Sequence, residues 1–399
     1  MDRQQVDVLI SGGGVAGLTA AAAFGAAGFG VVCVDPAPPV TEETADGADI
    51  RTTAFLQPSI PVLEAAGLWA RLAPHAAPLQ VMRIVDAGGA QPVARLVRDF
   101  DAADVSEQPF GWNLPNWLLR REMVARLAEL PNVDFRPGVA TLGVTAREDA
   151  ALVRLSDGSQ FAARLLVAAD GRNSAVRLAL GIGAQVTRYG QKAVVFAVTH
   201  PTPHDNVSTE IHRSGGPFTL VPLPDRGGLP ASAIVWMERG PEAERLAALP
   251  VPEFEAAITE RSCGILGPLI LASRRAVWPI IAQVADRLTA PHTALIAEAA
   301  HVVPPIGAQG LNMSLADLRA LLDLASGGST PLGSPAMLAA YERRRHLDVQ
   351  IRARGIDLLN RASMLEPQPL RDLRAGVLGA LYGIAPVRRA LMKAGLGLR

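Results

Sequence analysis

The first residues with spacing suited to ligand chemistry are three glycines, Gly12, Gly14 and Gly17, in a G-x-G-x-x-G pattern. Gly12 permits a tight turn, Gly14 lets the backbone approach a pyrophosphate, and Gly17 allows close packing of a helix on a strand. Asp35 lies 18 positions after Gly17, where a carboxylate can accept hydrogen bonds from ribose hydroxyls. The spacing predicts a dinucleotide site, with a structural glycine turn as the alternative.

The elements that must position these residues form a βαβ unit. Residues 6–10 are a short apolar run typical of a buried parallel strand. An alanine-rich helix is predicted over residues 18–27, and its N-terminal amides would hold the phosphates. Residues 30–34 predict the second strand. The uncharged stretch 8–34 could span a bilayer by length, but its seven glycines favour a buried βαβ unit.

A second polar segment follows a later strand. Residues 161–169 predict a strand, and residues 170–177 match D-G-x-x-S-x-x-R. An acid at a strand end before a helix would place the Asp170 carboxylate and nearby amides beside the cofactor cleft. An Asp-Gly turn that caps a helix is the alternative.

A third segment, residues 294–312, predicts a strand, the acid Glu298, a loop rich in proline and glycine, and a helix beginning near Gly310. The N-terminal amides of that helix could stabilise an anionic reduced flavin. One helix face is predicted to be buried through Leu311, Leu315, Leu318 and Leu322.

Together these segments resemble the class A FAD-dependent aromatic hydroxylases, the family typified by p-hydroxybenzoate hydroxylase. Within it, the chain is most similar to the ubiquinone-biosynthesis hydroxylases, through residues 49–54, 111–116 and 307–314. The resemblance implies an α/β fold with a Rossmann-like FAD-binding domain. It also implies an inserted antiparallel β-sheet substrate domain and a helical C-terminal segment.

The resemblance further implies contacts with FAD. Those expected at the adenosine half are Gly12, Gly14, Val15, Ala16, Gly17 and Asp35. Those expected near the phosphates, ribose and nicotinamide are Arg51, Arg120 and Asp170. Those expected at the ribityl chain and isoalloxazine are Glu298, Pro305, Gly310, Leu311 and Asn312.

Alternatives remain for some of these residues. A surface ion pair is the alternative for Arg51 and Arg120. His301, like Arg51 and Pro305, is a flavin-positioning candidate, although hydrogen-bonded packing is the favoured interpretation of His301. No catalytic base is identified.

The chain departs from the family at Ala297 and Glu298, where Gly-Asp is usual. Glutamate keeps the charge but is one methylene longer, and alanine restricts the backbone more than glycine does. This exchange is expected to weaken FAD binding or shift the flavin. Ser314 also stands where glycine is common.

The domain organisation is expected to be discontinuous. The FAD-binding domain is assigned to residues 1–75, 110–180 and 287–350, the substrate domain to 76–109 and 181–286, and a helical segment to 351–399. Predicted strands of the inserted sheet are residues 193–199, 218–222, 231–237 and 276–281. His212 and Trp236 are pocket candidates, with core packing favoured for Trp236.

The amino-acid composition bears on the binding partners and the cellular compartment of the protein. The 38 basic residues balance 38 acidic ones, so no basic field favours nucleic acid. The two cysteines, Cys33 and Cys263, do not predict a disulfide scaffold or a zinc site, and they favour a cytoplasmic location. No second complete glycine pattern occurs, which fits transient binding of NAD(P)H.

Residues 368–399 form a basic, amphipathic segment with Asp372 as its single acid. It predicts contact with the inner membrane surface or with an acidic partner of a ubiquinone-pathway complex. A helical cap with a basic outer face is the alternative.

The resemblance implies an NAD(P)H-using monooxygenase that hydroxylates an aromatic ring with molecular oxygen through a flavin C4a-hydroperoxide. The expected substrate is a polyprenylated phenol of ubiquinone biosynthesis. The alternatives are a hydroxylase of a soluble aromatic compound and a flavin-binding or assembly protein that has lost its catalysis. No metal is expected.

Overall fold

The computed structural model describes residues 3–396 except 90, 92, 214, 329, 366, 373–375, 377–381 and 383. Its first elements are β1 (Gln4–Ser11), α1 (Val15–Ala26) and β2 (Val31–Asp35), with the two strands paired in parallel. Helix α1 therefore begins three residues before the predicted start. Each residue from 16 to 25 is buried, because small alanine side chains let the helix lie close to its neighbours.

The first sheet carries this βαβ unit. Its strands after β2 are β8 (Val133–Pro137), β9 (Thr141–Ala146), β10 (Ala151–Leu155), β11 (Gln160–Ala168), β18 (Thr289–Ala290) and β19 (Thr293–Leu295). The strand order is β18-β19-β11-β1-β2-β8, and β10 and β9 extend the sheet in antiparallel fashion from β11. The carboxyl ends of β1, β11 and β19 meet at one edge, because these three strands are parallel.

A second sheet has the order β20-β17-β12-β15-β14-β13-β5-β6, with β16 paired to β12. Its strands are β5 (Val81–Asp86), β6 (Leu96–Asp101), β12 (Ala184–Thr199), β13 (Val207–His212), β14 (Pro217–Arg226), β15 (Leu229–Arg239), β16 (Ile270–Leu271), β17 (Ala276–Ala285) and β20 (His301–Val302). The pairings of this sheet are antiparallel, as expected, except that β13 pairs with β5 in parallel. That pair joins distant parts of the chain, so local patterning could not reveal its direction.

A small third sheet was not predicted. It contains β3 (Thr52–Leu56), β4 (Ala77–Leu79) and β7 (Gly111–Pro115), in the order β3-β7-β4. The Asn113 side-chain amide donates to Pro222 O at 2.9 Å, which ties this sheet to β14. The third sheet therefore lies against one end of the second.

Helices cover both large sheets. The remaining helices are α2 (Ile60–Ala65), α3 (Trp69–Leu72), α4 (Asn116–Ala128), α5 (Ala175–Ala179), α6 (Gly240–Ala248), α7 (Val251–Arg261), α8 (Ala297–Ala300), α9 (Gln309–Ser326), α10 (Pro335–Ser363) and α11 (Ala385–Leu396). The main core groups α1, α4, α9 and the first sheet, and a second core lies between α6, α7 and the second sheet. None of the helices in the described part of the chain is both long and apolar enough to cross a membrane.

Candidate active site

The glycine turn builds a cradle with open space at one position. A Cβ added at Gly12 would overlap Ala169 backbone atoms, and one added at Gly17 would overlap the Gly12 carbonyl. At Gly14 the same addition meets no atom within 4 Å. Helix α1 has no side-chain cap at Gly14 and no acid in its first turn, so its N-terminal amides are available to an anion.

Asp35 braces this turn from the end of β2. Its carboxylate accepts hydrogen bonds from Gly13 N at 2.5 Å and from Ala37 N at 2.8 Å. Each carboxylate oxygen has a further lone pair that could accept from a ribose hydroxyl. Ala16 is buried and Val15 is half-buried beside the turn. The cradle has the geometry and donor set that a dinucleotide requires.

Two arginines gather around one buried carboxylate. Arg51 donates to both oxygens of Asp49, at 2.8 and 2.7 Å, and Arg120 lies 3.6 Å from the same group. Burial alone raises the pKa of Asp49, but hydrogen bonds from Arg51 and Asn116 and the Arg120 charge more than offset this. The pKa of Asp49 therefore lies below its usual value, and the carboxylate stays ionised.

The two arginines differ in their remaining capacity for a ligand. The buried Nε atom of Arg120 has no hydrogen-bond partner among the described residues. The Arg51 guanidinium lies over the Trp278 ring, 4.4 Å from its centroid, as in a cation–π contact. Arg51 is thus neither a simple surface ion pair nor free, because Asp49 and Trp278 fix its plane.

Asp170 caps a helix. It accepts from Ser174 Oγ at 2.5 Å and from Val176 N at 3.1 Å, at the start of α5. This is the capping turn considered as the alternative, and a role toward FAD or nicotinamide stays a prediction. The buried Arg177 donates to Ala299 O at 2.9 Å, which joins this segment to the third one.

The start of α9 is held against the third sheet by Asn312. Its side chain accepts from Leu56 N at 2.8 Å and donates to Ala54 O at 2.8 Å. The amide is therefore engaged with the backbone, so Asn312 can position the helix start by these bonds. Gly310 is exposed, with no atom within 4 Å of an added Cβ.

The remaining predicted flavin contacts lie around this helix start. Pro305 is exposed in the preceding loop, and Leu311 is half-buried against the main core. Leu315 and Leu318 are fully buried, and Leu322 is packed against the same core. The face of α9 that was expected to be buried is therefore buried. The N-terminal end of the helix, at Gly310, presents backbone amides beside open space.

The unusual Ala297-Glu298 pair has a backbone consequence. Ala297 has φ 56°, in the left-handed region that glycine adopts without steric penalty. The Glu298 side chain is nearly half exposed, 3.5 Å from Arg172 Nε. Glu298 therefore keeps a carboxylate at the position where the family has aspartate. Ala297, directly before it, has a strained backbone.

His301 lies in a buried ionic network. Its Nε2 is 2.6 Å from Asp317 Oδ2, and Arg345 Nε donates to Asp317 Oδ1 at 2.7 Å. Burial raises the pKa of Asp317, but the charges of His301 and Arg345 outweigh that effect and lower it overall. His301 is a hydrogen-bonded core histidine, as the favoured interpretation held.

Several residues of this region were not predicted from the sequence. Asp317 and Arg345 were not predicted, although an aspartate within the buried stripe of α9 is itself a signal. Trp278 was not connected with Arg51, because no local pattern joins β17 to the loop before β3. Trp236 is buried against Phe218 in the second core, as expected of a residue that packs in the core.

Comparison with known proteins decides the family. The FAD binding domain family matches residues 5–353. The chain belongs to this family of FAD-dependent aromatic hydroxylases. It is 32% identical to ubiquinone hydroxylase UbiL of Rhodospirillum rubrum, over 98% of this chain and 89% of UbiL. It is 26% identical to 3-demethoxyubiquinol 3-hydroxylase of Escherichia coli, over the full length of both.

Solved structures of monooxygenases have the same fold as this chain. Pseudomonas aeruginosa PqsL, crystallised with 2-aminobenzoylacetate, superposes with a TM-score of 0.77 at 26% identity, over 94% of this chain and all of PqsL. p-Nitrophenol 4-monooxygenase PnpA of Pseudomonas putida shares the fold, with a TM-score of 0.78 at 18% identity over 99% of each chain. The resemblance inferred from the motifs is confirmed, and this hydroxylase is a FAD-dependent monooxygenase.

The residues present suit FAD. The open position at Gly14, the uncapped α1 and the Arg120 Nε, which no described residue pairs with, together match an anionic dinucleotide. The start of α9, with open space at Gly310, supplies a second set of backbone donors. Which of these groups contacts which part of FAD stays a prediction.

Proposed function

We propose that this hydroxylase acts on the ring of a polyprenylated phenol in ubiquinone biosynthesis, with NAD(P)H as a transient reductant and molecular oxygen as co-substrate. The observation that carries the proposal is the relationship to UbiL over nearly the whole of both chains. FAD supplies the redox chemistry when bound, by accepting reducing equivalents and activating oxygen.

The chain's own residues would orient the ring and exclude water. One face of the second sheet, called here the inner face, carries Val195, Val235 and Trp278 and packs against Ile50 and Arg51. Further inner-face residues that are only half-buried are Met82, Ile84, Thr219 and Val221. This mostly apolar lining suits an aromatic ring with a hydrocarbon tail.

A soluble aromatic substrate is the second candidate. The structural likeness to PqsL, whose crystals hold 2-aminobenzoylacetate, favours it. Such a substrate has no tail to bury, so its affinity should not depend on chain length. A prenylated substrate should bind more tightly with each added apolar unit, by about 0.8 kcal/mol per buried CH₂.

Two measurements test the proposal together. In a strain lacking this protein, mass spectrometry should find an accumulated prenylphenol intermediate and depleted ubiquinone. The purified holoenzyme should oxidise NAD(P)H faster when a prenylphenol is added than when an unprenylated phenol is added. A normal ubiquinone level in the deletion strain, together with NAD(P)H oxidation that only soluble aromatic compounds stimulate, would reject the polyprenylated phenol and favour the soluble aromatic substrate.

We also propose that the outer side of α10 rests on an anionic membrane surface. Its strongly exposed aliphatic side chains are Leu347, Ile351, Leu358 and Leu359, at 65%, 60%, 69% and 57% exposure. Three exposed arginines on the same helix, Arg343, Arg344 and Arg354, have no ion-pair partner within the described ranges. Aliphatic groups flanked by cations suit an anionic bilayer interface.

Within the basic C-terminal segment, the described basic residues differ in their surroundings. Arg388 lies 3.3 Å from Asp104 and over the Tyr382 ring, so it faces the protein. Arg389 and Lys393 are exposed on α11. Arg374 and Arg399, which belonged to the prediction, lie outside the described residues.

Co-sedimentation with vesicles of phosphatidylglycerol tests the membrane contact. The double substitution Ile351→Glu/Leu358→Glu should reduce the bound fraction severalfold, because it places two carboxylates at the apolar surface. Leu178→Glu, at another exposed leucine, is the matched control and should bind like the wild type. Equal binding of the double variant and the control would reject α10 as the contact.

A further inference from the structure

Three polar side chains of β13 share the inner face, and two of them, Glu210 and His212, can carry charge. Ile211 packs with Phe254 and Ile258 on the opposite side, between the second sheet and α7. Because side chains alternate along a strand, Glu210 and His212 project to the inner face. The alternation Glu-x-His was readable in the sequence, but the partner strands that define the two faces were not.

The strand register places Glu210 on an interior strand of this face. It lies between Ile84 of β5 and Thr219 of β14, and the same row continues through Val235 and Val195. Ile84, Thr219 and Val235 are half-buried although their strands are interior to the sheet. These side chains are therefore partly accessible on the face that also carries Trp278.

Glu210 and His212 form a close pair. Nε2 of His212 lies 2.8 Å from Oε1 of Glu210, and the two side chains are only 16% and 11% exposed. A carboxylate can only accept, so the contact orients the Nε2 hydrogen of the ring toward Glu210. Nδ1 is then the basic nitrogen of the neutral ring, and this buried atom has no hydrogen-bond partner in the described part of the chain.

We propose that Glu210 and His212 act as the proton-accepting pair for the phenolic hydroxyl of the substrate. The inference rests on the proposed function, because it requires a phenol. The O–H bond breaks, the proton moves to Nδ1, and the electron pair stays on oxygen as a phenolate. Glu210 stabilises the resulting imidazolium. The phenolate donates electron density into the ring, which favours attack on an electrophilic oxygen.

Other charged groups around the pair are already paired or stacked. Asp86 lies opposite His212 on β5, and Arg95 holds it at 2.6 Å while also contacting Asp372. Arg98 lies opposite Ile84 on β6 and stacks over Tyr382. The adjoining positions of β14 are Pro217 and Thr219, which do not titrate. The His212 ring is therefore the group placed to gain the proton.

A phenol whose ionisation is visible tests the assignment directly. The probe is p-nitrophenol, because its phenolate is yellow, added to the FAD-loaded protein without NAD(P)H and followed by difference absorbance against pH. In the wild type, bound probe should ionise at a pH lower by about one unit than free probe, which is about tenfold. His212→Asn should abolish this shift, and Glu210→Gln should reduce it.

Activity provides a second readout with a matched control. At neutral pH, kcat with a prenylphenol should fall about 100-fold in His212→Asn and recover as pH rises, since the phenol then ionises in solution. The control is His204→Asn. His204 lies in the turn before β13 and contacts Leu223 O, and kcat of this variant should equal that of the wild type. FAD absorbance checks that each variant is folded.

The outcomes separate the two proposals. If wild type and both variants show the same ionisation of bound probe, the pair is rejected while the proposed function stands. If the wild type binds no phenol and no phenol stimulates NAD(P)H oxidation, the proposed function fails and this inference fails with it.

Discussion

At the scale of single residues, two alanines with a strained backbone lie next to the site. Ala297 and Ala308 have φ 56° and 55°, directly at the start of α8 and before α9. A left-handed conformation costs an ordinary L-residue about 1–2 kcal/mol. Such strain persists only where surrounding contacts hold it, and it is common beside functional sites. The glycine usual in the family at position 297 would avoid it.

Ala297→Gly should therefore stabilise the protein, although glycine loses more entropy on folding. The net gain is expected to be about 0.5–1 kcal/mol, seen as a rise of about 1–2 °C in Tm. Ala299→Gly, at a buried position of the same short helix, should instead lower Tm. Equal losses of Tm in both variants would contradict the strain at Ala297.

At the scale of elements, the start of α9 depends on one side chain. Asn312 makes two bonds to the β3 backbone, and its Oδ1 also accepts from Ser59 Oγ at 2.7 Å. The same amide donates to Ala308 O at 2.6 Å. These bonds tie the helix start to β3 and the turn after it, so they determine where the α9 amides lie.

Asn312→Ala should cost about 2–4 kcal/mol of unfolding free energy, because four hydrogen bonds of about 1 kcal/mol each are lost. It should also weaken FAD binding, measured by fluorescence of released flavin. Gln309→Ala removes a neighbouring polar side chain whose contacts lie partly at the surface and should cost less than about 1 kcal/mol. If Asn312→Ala loses no more unfolding free energy than Gln309→Ala, the Asn312 hydrogen bonds do not hold the start of α9 against β3.

A second element-scale feature is Asp317, which links α9 to His301 of β20 and Arg345 of α10. Asp317→Asn should destabilise the protein by about 3–5 kcal/mol near neutral pH, because it leaves buried charges unpaired. Asp348→Asn is the control, since Asp348 is 38% exposed and pairs with the same arginine. Its loss should stay below about 1 kcal/mol by denaturant unfolding.

The pH dependence of that difference follows from the lowered pKa of Asp317. A depressed carboxyl pKa contributes stability above its unfolded value, near 3.9, and that stability is lost as pH falls through the folded value. The gap between wild type and Asp317→Asn should therefore persist at about pH 5 and close only below about pH 4. A gap that closes already near neutral pH would contradict an ionised Asp317.

At the scale of the whole molecule, the sequence predicted what is local and missed what is distant. Gly12, Gly17 and Asp35 lie within one βαβ unit, so their arrangement followed from spacing alone. The parallel pairing of β13 with β5, and the bond between Asp317 and Arg345, join segments far apart in the chain. Periodicity within one element carries no information on such partners, so they required the tertiary structure.

We expect FAD to be held at the cradle of α1, and the Gly14→Val substitution examines this placement. Gly14 has extended backbone, at φ −71° and ψ 176°, and an added Cβ meets no protein atom within 4 Å. The substitution should therefore leave the Tm of the apoprotein unchanged while its side chain enters the space required by the pyrophosphate. Gly355→Ala, in α10 and equally open, is the control.

The measurement is titration of each apoprotein with FAD, followed by flavin fluorescence. Wild type and Gly355→Ala should bind one FAD per chain, and Gly14→Val should bind at least about 100-fold more weakly, or by about 2.7 kcal/mol. Wild-type protein that takes up no flavin, or a Gly14→Val variant that binds it as tightly as the wild type, would show that FAD is not held at this cradle.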